Sequence, residues 1–83
     1  MDWNKEARRI LRFEMKIREI GYKELLKRLE AIGVNNETER SIVSKVSRGT
    51  FSAAFFLQCM RAMGVNALDV SGDPVTSAKK KNE

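Results

Sequence analysis

Apolar residues recur at helical spacing through most of the chain. From Trp3 they fall at Ala7, Ile10, Leu11 and Ile17, the i, i+3, i+4, i+7 pattern of one helix face. Phe13 and Met15 flank that face, and Arg8, Arg9, Arg12 and Lys16 lie around the rest. Gly21 interrupts the pattern and predicts a joint to a second helix starting at Tyr22. Tyr22, Leu25, Leu26, Leu29 and Ile32 make the buried stripe of that helix. Gly33 is expected to close it in a left-handed conformation, with Val34 folding back as the hydrophobic contact.

Asn36 followed by Glu39 resembles a capping box and predicts a third helix from about Glu37 to Ser47. Its apolar stripe is narrow, comprising Ile42, Val43 and Val46. The opposite side carries Glu37, Arg40, Ser41, Ser44, Lys45 and Arg48, and Gly49 ends it. Ser52 is the expected N-cap of a fourth helix that stops before Gly64 and is apolar almost all round. Val65 to Val70 reads as a short last turn, and from Ser71 the composition changes to that of a solvated tail. No strand alternation and no internal repeat is visible. The expected architecture is all-α, with a four-helix domain over residues 1–70 and a disordered basic tail over 71–83. Its expected core is Leu25, Leu29, Val43, Val46, Phe56, Met60 and Met63.

At 83 residues there is room for one small domain. No apolar run approaches the ~18 residues of a membrane span, and the charged start at Asp2, Lys5 and Glu6 has no apolar stretch behind it to make a signal peptide. Histidine is absent, and the lone Cys59 excludes an intramolecular disulfide and a zinc finger. A single cysteine on an apolar helix fits a small core hydrophobe in a reducing compartment, and the expected location is the cytoplasm. Glu37 and Glu39 stand two apart and cannot converge on one helix face for acid–base work. No constellation points to an enzyme, a cofactor, a metal site or a small-molecule substrate.

Charge adds a positive clue. The net charge is +5, and residues 71–83 supply only one of those charges, because Lys79, Lys80 and Lys81 stand against Asp73 and Glu83. A basic folded domain is the electrostatic footprint of a nucleic-acid binder, since each phosphate contact releases condensed counterions. The second helix, the turn and the short third helix match a helix-turn-helix geometry. In that geometry one helix braces the backbone and the next lays side chains on base edges in the major groove.

Two segments carry a family resemblance. Tyr22-Lys23-Glu24-Leu25-Leu26-Lys27-Arg28-Leu29 looks like the first helix of lambda-repressor-like helix-turn-helix domains, and Val43-Ser44-Lys45-Val46-Ser47-Arg48-Gly49 looks like the end of their recognition helix. Phe56, Cys59, Met60, Met63, Gly64 and Val65 match the apolar positions of the helix that follows. More closely, Glu37-Thr38-Glu39 with the run from Lys45 to Phe55 is similar to a family of short bacterial proteins of unknown function with a helix-turn-helix-like fold. Compared with the repressor pattern, the turn or the recognition helix is longer here. Its leading positions hold Glu37 and Glu39, whose charge opposes phosphate.

The resemblance implies a DNA-binding bacterial or phage transcriptional regulator acting on duplex DNA through Arg40, Ser41, Ser44, Lys45 and Arg48. A rival reading is a helical protein–protein adaptor without DNA binding. Phe51 and Phe55, one turn apart, stand outside the expected core and predict a second buried surface. Either the first helix, with Trp3, Ile10 and Phe13, packs onto them, or a second copy does so in a homodimer.

Overall fold

The computed structural model describes residues 2–68 and 70, and all secondary structure among them is helical. The expected tail, residues 71–83, lies outside the described residues. Helix α1 spans Trp3–Ile17, α2 Tyr22–Ala31, α3 Glu39–Arg48 and α4 Ala53–Ala62. Helices α1 and α2 each lie against both α3 and α4. Leu11, Leu25, Leu29, Ile42, Val46 and Cys59 are fully buried where the four helices meet.

Asp2 caps α1 by accepting from the Lys5 backbone N–H at 3.2 Å. The buried face of α1 is Leu11, Glu14 and Met15; of the expected stripe Leu11 is buried and Ala7 and Ile10 are half-buried, while its ends are not. Trp3 is 72% exposed and Ile17 55%. The helix is turned toward α3 as well as α4, which rotates its contact face onto Leu11 and Met15. Glu14 reaches the edge of that face and pairs with Arg18.

The joint between α1 and α2 includes Gly21 and α2 starts at Tyr22, as expected, but the left-handed turn is made two residues earlier. Glu19, at φ 55°, takes the left-handed position. Glu19 N–H donates to Lys16 O at 3.1 Å, and Ile20 N–H to Met15 O at 2.9 Å, which closes the helix and tucks Ile20 into the core. Gly21 is instead the N-cap of α2, in extended backbone that any residue adopts, and it provides no side-chain cap.

The C-terminus of α2 forms as expected. Gly33 is left-handed, its N–H donates to Glu30 O, and Val34 N–H donates to Leu29 O at 2.9 Å. The expected Asn36–Glu39 box does not form. Thr38 is the N-cap of α3 and makes a reciprocal box with Ser41. The extra length relative to the repressor pattern therefore lies in the turn. Ile42 and Val46, one turn apart, set the buried line of α3, and Val43, ~100° round the helix from Ile42, is 36% exposed rather than core.

Gly49 ends α3 at φ 69° and packs against the start of α1. A Cβ there would sit 2.7 Å from the Asn4 carbonyl oxygen and 3.3 Å from Arg8 Cβ.

Ser52 caps α4 by accepting from Phe55 N–H at 3.0 Å. Met60 and Met63 are buried as expected, but the buried face of α4 extends to Phe55 and Cys59 rather than to Phe56, which is half-buried at the edge. With apolar residues on almost every side of α4, the neighbouring helices decide its rotation. The expected last turn is not helical: residues 65–68 carry no helix beyond the bond from Val65 N–H to Met60 O that finishes α4.

Candidate nucleic-acid interface

Burial of Ile42 and Val46 turns the opposite side of α3 to solvent. Arg40 and Arg48 are exposed on it, with half-buried Ser44 between them at i, i+4, i+8. Val43 and Ser47 are exposed beside that line. Eight residues at 1.5 Å each put the two arginines about 12 Å apart along the axis. Basic residues in the last turn of α3 also suit the negative end of its dipole.

The other two expected contact residues are engaged elsewhere. Ser41 and Lys45 lie on the flank of α3 that faces the turn, where both meet Glu37. Glu37 precedes the helix and is 8% exposed. Its carboxylate pairs with the Lys45 ammonium and lies 2.7 Å from the Ser41 hydroxyl. The same hydroxyl lies 2.9 Å from Thr38 O and accepts from Thr38 N–H at 2.8 Å. Lys45 Nζ also sits 4.8 Å from the centroid of the Phe55 ring. This cluster fastens the turn to α3 and neutralises Glu37 where the sequence suggested a charge facing phosphate.

Burial raises the Glu37 pKa, but the hydrogen bonds from Lys45 and Ser41 and the Lys45 charge outweigh it and hold the carboxyl below its ordinary 4.5. The Cys59 thiol is pushed up to about 12 by burial, with the Glu37 charge adding to the rise and Lys45 opposing it. At neutral pH Cys59 is therefore a protonated core residue.

Phe55 is inside the core at 3% exposure, so it does not form the expected second surface. Phe51 stays at the edge, stacked on Phe56 with ring centroids 6.0 Å apart. With Trp3, Ala7, Ile10 and Leu68 the two rings line an apolar groove between α1 and the start of α4. The first helix does pack onto this region, without closing over it.

A second basic group lies on α1. Lys5, Arg8, Arg9, Arg12 and Lys16 form a single cationic stripe along α1, bordering a shallow groove with Phe13 and Glu6. The sequence pattern puts Arg8, Arg9, Arg12 and Lys16 around the polar part of the helix, and Lys5 extends the group toward the N-terminus. Arg8 joins this stripe to α3: its Nη1 donates to the Ser47 carbonyl at 2.7 Å.

A family model described as a domain of unknown function (DUF6471) matches residues 3–68. The chain belongs to this family. The DUF6471 match runs from α1 through the segment after α4, so the α3 face, the Glu37 cluster and the α1 stripe all fall within it. Comparison with curated proteins and with solved structures gives no match. Among the described residues no helix is long and apolar enough to cross a membrane.

Proposed function

We propose that this DUF6471 chain is a duplex DNA-binding module used as a helix-turn-helix, with α2 bracing and α3 entering the major groove. A bacterial or phage transcriptional regulator is the role that fits such a module. The observation that carries this reading is the outward line of Arg40, Ser44 and Arg48 opposite fully buried Ile42 and Val46. Arginine forks onto guanine or grips phosphate, serine bonds either, and exposed Val43 offers an apolar contact for a thymine methyl. The neutralised Glu37 leaves Glu39 as the exposed acid at the leading end of this face. Cys59, protonated and buried, supplies no nucleophile, and the reading is of binding rather than catalysis.

Binding to a fluorescent duplex of about 20 base pairs tests the reading. Wild type should bind at low salt and weaken as salt rises. The double variant Arg40→Gln, Arg48→Gln should lower the slope of log K against log salt by about 1.8, or ~0.9 for each lost phosphate contact. Equal slopes would remove α3 as the contact surface. A second reading, a protein–protein adaptor, is favoured by the apolar groove at Trp3, Phe51 and Phe56 and by the exposure of Trp3. It would lead if wild type binds no duplex at low salt.

A further inference from the structure

We infer that the cationic stripe of α1 is a second DNA contact, a track that grips the phosphate backbone beside the segment read by α3. The inference rests on the DNA-binding reading of α3 and extends the footprint to a different helix. Lys5, Arg8, Arg9, Arg12 and Lys16 lie together on the flank of α1 beside the buried Leu11 and Met15. From Lys5 to Lys16 the stripe runs about 16 Å along the axis.

Glu6 is the acid bordering it and is paired with Arg9. Among the described residues Lys5, Arg12 and Lys16 have no acidic partner, and all three are exposed. Cations three and four residues apart on one helix repel one another, and here Lys5–Arg9, Arg8–Arg12 and Arg12–Lys16 all do so. An isolated domain gains nothing from that arrangement, whereas a polyanion lying along the helix turns each repulsion into an attraction.

Geometry selects duplex DNA among polyanions. The Arg8 guanidinium holds the Ser47 carbonyl, and Gly49 lets the α1 backbone at Asn4 approach the end of α3 closely. The stripe therefore meets the end of α3 at Ser47 and Gly49, and a backbone leaving the end of α3 runs onto α1. An anionic bilayer fits less well. Leu11 and Met15 are committed to the core, so α1 cannot lay a full apolar face into lipid.

The test compares two triple variants of the full chain on a random-sequence duplex of about 20 base pairs over a salt series. Lys5→Gln, Arg12→Gln, Lys16→Gln strips the track. Ala54→Glu, Arg61→Gln, Asn66→Glu lowers the net charge by the same three units at exposed positions on α4 and just after it. The first triple should lower the salt slope by about 2.7 and weaken low-salt binding by about tenfold or more. It should also melt at or above the wild-type temperature, because repulsion is relieved. The second should keep a near wild-type slope.

Equal losses from both triples would reduce the effect to net charge and overturn the inference. Unchanged binding by the first triple, with loss in Arg40→Gln, Arg48→Gln, would overturn it while leaving the α3 reading intact. Loss in the first triple with an unaffected α3 double variant would uphold the track and remove the α3 reading. Wild type that ignores duplex but binds phosphatidylserine vesicles through these same lysines and arginines would overturn both.

Discussion

Replacing Glu37 with glutamine tests the cluster that ties the turn to α3. Glutamine keeps the shape and still offers an oxygen to the Ser41 hydroxyl, which also has Thr38 O within reach at 2.9 Å. The main loss is the charge-assisted bond with Lys45. A bond to a charged group contributes about 1.5–3 kcal/mol. The Lys45 side chain is 41% exposed and can recover water, so the lower end applies, about 1.5 kcal/mol. With a urea dependence near ~1 kcal/mol per molar for a domain this small, the unfolding midpoint should fall by about 1.5 M.

The difference should depend on pH in one direction. The folded carboxyl titrates below its ordinary 4.5, so its contribution is complete above about pH 5 and fades as pH falls through the lower folded value. Wild type and variant should therefore converge in acid. DNA affinity should move the opposite way, rising at low salt, because a negative charge is removed and the Lys45 ammonium is released. A variant as stable as wild type at pH 7, or a gap that persists unchanged in acid, would refute the argument.

Four further outcomes follow from the backbone and the core. Gly49→Ala should cost about 2–4 kcal/mol, since it adds a collision with the Asn4 carbonyl to left-handed strain. Gly64→Ala, with open space around its Cβ, should cost only about 1 kcal/mol in a thermal melt. Gly21→Ser should stabilise by about 0.5–1 kcal/mol in the same assay, because a hydroxyl would cap α2 where none does now. Native Cys59 should resist a thiol reagent at pH 8 and react freely in denaturant; equal rates would contradict its burial.

Helix number and most helix ends were legible because punctuation carried them. Gly33 and Ser52 act in the structure in the roles their types suggest, and Gly49 ends α3 as expected. Helix rotation was harder to read. In α4 both Phe55 and Phe56 are apolar, so periodicity could not say which turns inward, and the choice falls to packing against the other helices. In α1 the apolar set spans more than one face, and contact with α3 selects Leu11 and Met15 over Trp3 and Ile17.

At the start of α3 the expected box was Asn36 with Glu39, and the one that forms is Thr38 with Ser41. Glu37 favours the second, since it reaches Ser41 and Lys45 only when it stands outside the helix. That pairing crosses eight positions and one helix boundary, which no repeat along the chain reveals. The left-handed Glu19 was hidden for a related reason: Gly21 two residues later is the more obvious break, and burial of Ile20 fixes the turn earlier.

Chemical-shift mapping tests the central claim most directly. Isotope-labelled protein is titrated with a short random-sequence duplex at low salt, and amide shifts are followed residue by residue. The account predicts the largest changes along Arg40, Val43, Ser44, Ser47 and Arg48, reversing as salt is added. Shifts confined to Trp3, Phe51 and Phe56, or none at all, would contradict it.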